Sequence, residues 1–312
     1  MSEKIKVYAV VGATASGKSS LALELAKSYG GEIISCDSMQ VYRKMNIGTA
    51  KPTEDELASV RHHMIDIAEP DENFSCAEYV TLADAAIRDC ASRGKKPIIC
   101  GGTGLYLDAL LRKADFAEDI NDASVRASLM ELAREQGADA LHAELAKIDP
   151  ESAAAIHPNN VKRVARAIEI YRVGGITKTE LDRRSREQGM RFDVSAVELF
   201  YSDRDTLYRR IEKRVDEMID LGLVEETRAL MADGVFEKNT TAAQAIGYKE
   251  LFGYIEGRES LSEATDTLKM ATRRYAKRQM TWFGAREYIT RIDVSGKTFE
   301  NIVNIAAEHF FS

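Results

Sequence analysis

A glycine-rich loop near the amino terminus constrains the fold more than any other feature of this sequence. Residues 12–19 read GATASGKS and fit the pattern G-x-x-x-x-G-K-S/T. The apolar run Ile5–Val11 precedes the loop, and Ser19–Tyr29 follows it with helical spacing. A strand, a glycine-rich loop and a helix in this order are typical of α/β proteins that bind phosphate groups at the loop.

The chemistry of this loop suits a diphosphate or polyphosphate. Its glycines let successive backbone N–H groups turn inward around an anion, and the amino end of the following helix adds a positive dipole. Lys18 supplies a charge, and the Ser19 hydroxyl can ligate Mg²⁺. We therefore predict a diphosphate site with Ser19 as metal ligand, formed by Gly12, Ala13, Thr14, Ala15, Ser16, Gly17, Lys18 and Ser19.

The other strand signals predict a parallel sheet that a helical segment interrupts. Short strands are expected at Glu32–Ser35, Met64–Ile67, Pro97–Cys100, Val197–Tyr201 and Tyr288–Val294. A long amphipathic helix is predicted from the stripe Leu207, Ile211, Val215, Met218 and Leu221. Residues 122–186 show helical periodicity with almost no strand signal. We predict a P-loop NTPase-like α/β core over residues 1–116 and 192–312, with an all-helical domain inserted at 117–191.

Composition narrows the class of protein further. No apolar run approaches the ~18 residues of a membrane span. The four cysteines have no CxxC spacing, which gives no indication of a zinc site or a disulfide scaffold. His62 and His63 are neighbours on a predicted strand and point to opposite faces, so we expect structural hydrogen bonds there. The expectation is a cytoplasmic monomer that does not bind membranes.

The charge is unevenly distributed. The net charge is −7, yet residues 269–286 hold six basic residues and no acidic one. Residues 162–191 hold nine basic residues and four acidic ones. Because affinity for nucleic acid depends on local patches, an acidic chain with two basic islands can bind a polyanion.

Two further loops follow predicted strands. Asp37 comes directly after the second strand, and residues beyond the carboxyl ends of parallel strands line the ligand crevice. Asp37 is placed to act on the group that carries or attacks the phosphate, or else it caps the next helix. The strand ending at Cys100 leads into Gly101–Gly104 and not into the acidic magnesium ligand of a hydrolytic motor, which weakens that interpretation.

Seven segments together resemble the tRNA dimethylallyltransferase (tRNA isopentenyltransferase) family. They are GATASGKS at 12–19, CDSMQVYRKMNIGTAKP at 36–52, HHMID at 62–66, GGTGLY at 101–106, HPNNVKRVARAIE at 157–169, AIGYKE at 245–250 and YAKRQMTWF at 275–283. The resemblance runs over nearly the whole chain. Two positions depart from it: Ala13 stands where the family usually has proline, and Gly284 where a basic residue is common. We expect the loop to tolerate Ala13, and Gly284 to remove one phosphate contact.

The resemblance implies a reaction and its residues. The family transfers a dimethylallyl group from dimethylallyl diphosphate to N6 of the adenosine immediately 3′ of the anticodon, and diphosphate leaves. For this chain it implies Asp37 as general base, Thr103 as a substrate-orienting residue, and Lys18 and Arg214 at the diphosphate. Mg²⁺ is the expected cofactor, and the tRNA anticodon stem-loop is the expected partner. The expected tRNA contacts are Asp37, Ser38, Met39, Gln40, Thr103, Arg126, Lys162, Arg163, Arg166, Lys277, Arg278 and Gln279.

Three alternatives share part of this pattern. An adenylate isopentenyltransferase acting on free AMP, ADP or ATP needs the loop, Asp37 and Thr103, but neither the helical insertion nor the basic aromatic segment near the carboxyl terminus. A P-loop kinase of a small molecule needs the loop. An RNA-binding protein with a vestigial site does not need Lys18, Ser19, Asp37 and Thr103 together. The insertion and the basic segment favour tRNA as acceptor.

Overall fold

A computed structural model describes residues 4–112, 120, 122–187, 189–238 and 240–311. The chain divides into two compact units. The core unit comprises Met1–Leu111 and Phe192–Ser312, and the helical unit comprises Arg112–Arg191. The predicted boundary between residues 116 and 117 lies outside the described residues.

Six strands of the described core unit form one sheet in the order β3-β2-β4-β1-β5-β6, and every pairing is parallel. The strands are β1 (Lys6–Gly12), β2 (Gly31–Cys36), β3 (His62–His63), β4 (Lys96–Gly101), β5 (Asp193–Phe200) and β6 (Ile289–Asp293). The central strand β1 is buried along almost its whole length, because helices cover both faces of such a sheet. This confirms the predicted parallel α/β core.

The described helices alternate with these strands in the core unit and follow one another in the helical unit. In chain order they are α1 (Lys18–Tyr29), α2 (Glu54–Ser59), α3 (Cys76–Ser92), α4 (Gly104–Leu111), α5 (Ala123–Gln136), α6 (Ala138–Ile148), α7 (Pro150–Ala155), α8 (Val161–Gly174), α9 (Lys178–Glu187), α10 (Arg204–Asp220), α11 (Leu223–Ala232), α12 (Phe252–Ile255), α13 (Leu261–Gly284) and α14 (Phe299–Phe311). Within the described ranges, no helix has the length and apolarity that a membrane crossing requires.

Local sequence explains where the two helices nearest the candidate site begin. Asp203 caps α10 by accepting hydrogen bonds from the N–H groups of Asp205 and Thr206. Ser260 and Glu263 form a reciprocal capping box at the start of α13. Caps of this kind satisfy N–H groups that have no partner inside the helix, and each contributes about 1 kcal/mol.

Two sequence predictions differ from the structure. The third strand was expected at Met64–Ile67, but it is the two-residue β3, because Met64 and Asp66 have φ angles of 65° and 55° that no strand accepts. Leu221 was expected in the buried stripe of α10, but it lies beyond the helix and is 72% exposed. Gly222 turns the chain there with a φ of 100°.

Candidate active site

The phosphate loop joins β1 to α1 at the carboxyl edge of the sheet. Gly12 has a φ of 149°, and a Cβ there would lie 2.7 Å from the carbonyl oxygen of Leu199. Gly17 has a φ of 95°, and Ala15 adopts a left-handed φ of 62°. These positions explain why the loop needs its glycines and show that its tip is held in a conformation that an alanine seldom adopts.

Two partly buried cations and a carboxylate line the cavity beside this loop. Burial lowers the pKa of Lys18, Arg214 lowers it further, and Cys100 and Asp37 act in the opposite direction. Burial likewise lowers the pKa of Arg214, whereas Asp37 acts to raise it. The Lys18 ammonium donates a hydrogen bond of 3.2 Å to the carbonyl of Ala13. A pocket with two partly buried cations and one carboxylate favours an anionic ligand.

Asp37 lies in a turn and caps no described helix, since the next helix, α2, begins at Glu54. Its Oδ1 accepts a hydrogen bond of 2.9 Å from the N–H of Met39. Its Oδ2 accepts no hydrogen bond from any residue that the structure describes. The carboxylate is therefore oriented through one oxygen, and the other can accept a proton from a ligand.

Thr103 connects the glycine turn after β4 to the Asp37 turn. Its Oγ1 accepts a hydrogen bond of 3.0 Å from the N–H of Ser38 and lies 3.3 Å from Ser38 Oγ. Burial and the charge of Asp37 raise the pKa of the Tyr275 hydroxyl, which also shares a hydrogen bond with Thr103. Thr103 does not line the cavity, so we expect it to hold the turn beside Asp37.

A cavity of about 830 Å³ in the core unit unites these groups. Its wall includes Lys18, Ser19, Asp37, Arg214, Tyr275 and Arg278. Most of the predicted phosphate residues thus share one space with the predicted proton acceptor, although they come from the phosphate loop, the first helix and helix α10. Gly12, Ala13 and Ser16 are not among the residues that line the cavity. The sequence alone indicates Tyr275 only as the first residue of the segment YAKRQMTWF at 275–283.

Gln40 lines the same cavity but has its amide fully engaged. Its Oε1 accepts a hydrogen bond of 2.8 Å from Ser35, and its Nε2 donates to the carbonyls of Thr49 and Ala50 at 3.2 and 3.0 Å. These bonds use both amide protons. We therefore expect Gln40 to shape the loop at residues 49–50 and not to read a base directly.

Glu226 anchors the loop at residues 46–48, and no sequence motif had indicated this. Its carboxylate accepts hydrogen bonds from the N–H groups of Asn46, Ile47 and Gly48 and from the hydroxyl of Tyr248. A Cβ on Gly48 would lie 2.5 Å from the Tyr248 ring. A partner 178 residues away in sequence could not be found from local patterns.

Some basic residues of helix α13 form ion pairs within the protein, and others are exposed. Lys269 pairs with Asp216 at 2.6 Å, Arg273 pairs with Glu212, and Arg286, beyond the helix end, pairs with Asp108 at 2.6 Å. The exposed cations of the helix that form no ion pair with the described residues are Arg274, Lys277 and Arg278. Gln279 is 5% exposed, and it lines the same cavity as Arg274 and Arg278.

The helical unit also contains both kinds of basic residue. Lys162 and Arg163 are exposed on α8. Arg126 and Arg166 bind the fully buried carboxylate of Glu169 at 3.0 and 2.9 Å. Burial acts to raise the pKa of Glu169, but the N–H of Asp122 and the two arginines together lower it. These arginines thus have a structural role, while their side chains remain 45% and 28% exposed.

A second cluster of potential ligands lies elsewhere in the core unit. Among the described residues, Glu32, His63 and Cys90 bring three ligand atoms within 4.8 Å of one another. Arg93 binds both carboxylate oxygens and lowers the pKa of Glu32 to about 2, while burial raises the pKa of Cys90 to about 12. Since Arg93 and His63 already occupy the two oxygens of the Glu32 carboxylate, these contacts describe an ion-pair cluster.

A parallel sheet whose central strand leads into a phosphate-type loop at the amino end of a helix places the chain among P-loop-like α/β proteins. A sequence model described as IPP transferase matches residues 40–286. The chain is 51% identical over 283 residues to the tRNA dimethylallyltransferase of Geobacillus thermodenitrificans, covering 91% of this chain and 88% of that protein. The chain belongs to the IPP transferase family.

Solved structures agree with this assignment. The tRNA isopentenylpyrophosphate transferase of Bacillus halodurans is 42% identical, with a TM-score of 0.72 over 98% of this chain and 97% of that one. A eukaryotic dimethylallyltransferase described as acting on tRNA is 28% identical, with a TM-score of 0.80 over 97% of this chain and 79% of that one. The fold similarity thus extends over nearly the whole described chain.

Proposed function

We propose that this chain transfers a dimethylallyl group from dimethylallyl diphosphate to N6 of the adenosine immediately 3′ of the anticodon in tRNA. The observation that carries the proposal is the single cavity that holds Lys18 and Arg214 together with Asp37. The names of the relatives support the same reaction. We also propose that it acts as a cytoplasmic monomer.

The phosphate loop would bind the diphosphate of the donor. As the bond between the allylic C1 and the diphosphate oxygen breaks, negative charge grows on the leaving group. Lys18, Arg214 and residues of the phosphate loop line the cavity, and they would stabilise that charge as it develops. No nucleotide is hydrolysed in this scheme.

Mg²⁺ fits the donor set beside the loop. The Ser19 hydroxyl lines the cavity next to Lys18, and Mg²⁺ commonly takes one or two protein oxygens together with substrate phosphate oxygens and water. When bound there, the ion would supply further positive charge to the diphosphate. Ser19 would be its ligand from this chain.

Asp37 would act as proton acceptor. The adenine N6 amine is a weak nucleophile, because its lone pair is delocalised into the ring. When the bond from N6 to C1 forms, one N6 proton moves to Asp37 Oδ2, while the electron pair of the breaking bond leaves with diphosphate. The hydrogen bond from Met39 to Oδ1 holds the carboxylate in place for this transfer.

Exposed cations of both units would bind the RNA. The target base must leave its stack to reach the cavity, which costs about a few kcal/mol, and phosphate contacts offset that cost. Arg274, Lys277 and Arg278 on α13 are candidates in the core unit, and Lys162 and Arg163 are candidates in the helical unit. Arg126 and Arg166 can add contacts while they bind Glu169.

A transfer assay tests the acceptor class. Purified protein is mixed with Mg²⁺, labelled dimethylallyl diphosphate and either unmodified tRNA or AMP. We expect label on tRNA and none on AMP. Transfer to AMP alone would show an adenylate isopentenyltransferase, and turnover of ATP without prenyl transfer would show a kinase.

A further inference from the structure

Two helices hold the tip of the phosphate loop from outside. The N–H of Thr14 donates a hydrogen bond of 2.9 Å to Oε1 of Gln279 on α13. The next residue, Ala15, accepts a hydrogen bond of 2.9 Å through its carbonyl from Nε of Arg210 on α10. Ala15 has the left-handed φ of 62°, which persists only where the surroundings hold it.

The other end of the Gln279 amide binds the glycine turn after β4. Its Nε2 donates a hydrogen bond of 2.9 Å to the carbonyl of Gly102. A Cβ on Gly102 would lie 2.2 Å from that nitrogen, so the glycine makes the close approach possible. Since Gln279 is 5% exposed, water cannot easily replace either bond, and losing the amide would leave two polar groups unpaired.

The two loops that this amide joins carry the two halves of the proposed reaction. Thr14 belongs to the loop that would hold the diphosphate. Gly102 precedes Thr103, whose hydroxyl accepts the N–H of Ser38 beside Asp37. Gln279 therefore connects the leaving-group side of the cavity with the proton-acceptor side through one rigid amide.

We propose that Gln279 is a positioning residue that fixes the distance between the diphosphate site and Asp37, and that it does not contact tRNA. This inference rests on the proposed function. Its physical reason is that reacting groups must be held in a near-attack geometry, and a displacement of ~1 Å can lower the rate about a hundredfold. The neighbouring Lys277 and Arg278 are exposed and keep the RNA role, although Arg278 also lines the cavity.

Gln279→Met removes both hydrogen bonds at nearly constant volume. We expect kcat to fall about 10- to 100-fold, inorganic diphosphate with Mg²⁺ to bind more weakly, and the Kd for tRNA to change less than about twofold. Thr281→Ala is the matched control, because Thr281 is exposed on the same helix and its hydroxyl binds only the Lys277 carbonyl. A loss of tRNA affinity that equals the loss in kcat/KM, with diphosphate binding unchanged, would overturn the proposal.

The Gln279→Glu variant distinguishes loss of the bridge from general destabilisation, because the hydrogen bonds of the new side chain depend on pH. The protonated carboxyl can accept from Thr14 and donate to Gly102, whereas the carboxylate repels the Gly102 carbonyl. We expect the kcat of this variant, relative to that of the parent protein, to rise as the pH is lowered. A ratio independent of pH would contradict the proposed bridge.

Gly102→Ala disturbs the same bridge from the other side and serves if the Gln279 variants do not fold. We expect the same weakening of diphosphate binding, and little additional loss when it is combined with Gln279→Met. If the losses of diphosphate affinity in the two single variants add fully in the double variant, Gln279 and Gly102 do not act through a shared bridge. If the parent protein transfers no prenyl group to tRNA, the proposed function fails, but diphosphate binding by the variants still tests the role of Gln279.

Discussion

The two faces of helix α13 differ in how their polar groups are used. On the inner face Gln279 and Tyr275 bind the phosphate loop and Thr103. On the outer face Arg274, Lys277 and Arg278 are exposed and bind no acidic group of the described chain, and Arg274 and Arg278 also line the cavity. The same helix therefore carries buried polar groups that bind the neighbouring loops and exposed cations that have no acidic partner within the described ranges. Its inner face holds the cavity in shape, and its outer face offers charge to a polyanion.

The largest expected effect is a fall in kcat when the carboxylate in the cavity is replaced. Asp37→Asn keeps the side-chain shape and an oxygen for the Met39 N–H, but it cannot take up a proton from N6. We expect kcat to fall by about two to four orders of magnitude, the usual contribution of a positioned base. Single-turnover transfer and tRNA binding are measured on the same preparation.

We expect the affinity of Asp37→Asn for tRNA to stay within about threefold of the parent value while the rate falls. Such a result would assign the rate to the cavity and the affinity to other residues. A collapse of tRNA affinity with an unchanged bound-state rate would make Asp37 a base-binding residue. The cavity residues would then contribute to affinity, and the exposed cations of α13 would not be its main source.

Much of the fold and part of the site follow from local sequence. The phosphate loop and β1 are set by residues 5–19, where glycine positions and an apolar run act over short distances. The role of Gln279 cannot be read from local sequence, because its partners Thr14 and Gly102 lie 265 and 177 residues away. The partners of Gln40 lie within ten residues, but no periodic pattern marks them. Burial of one side of α13 separates Gln279 from its neighbour Arg278, although composition groups them together.

The outer face is expected to give the second largest effect. Replacing Lys277 and Arg278 together with alanine removes two exposed cations. We expect tRNA affinity to fall about tenfold near physiological salt, and the salt slope to decrease by about one for each lost phosphate contact. Binding is titrated over a series of salt concentrations, with kcat at saturating tRNA as the control.

An unchanged salt slope in that double variant would mean that the outer face does not contact RNA. A loss of kcat at saturating tRNA with unchanged affinity would show that Lys277 and Arg278 contribute to the reaction rate and not to tRNA binding.

The smallest effect is expected for a basic residue of α13 that is already paired. Arg273 binds Glu212 on α10, so its charge is neutralised within the protein. Arg273→Ala should change tRNA affinity by less than about twofold, since a cation already balanced by a neighbouring carboxylate adds little net attraction for a polyanion. A loss as large as that of the Lys277 and Arg278 variant would show that ion pairing on α10 does not decide which cations bind RNA.

The most direct test of the central claim is to locate the product. Unmodified tRNA is incubated with the protein, Mg²⁺ and dimethylallyl diphosphate, and its nuclease fragments are analysed by mass spectrometry. The account predicts one dimethylallyl group on N6 of the adenosine immediately 3′ of the anticodon, with one diphosphate released per group transferred. A group at another nucleotide, or diphosphate release without a modified base, would contradict it.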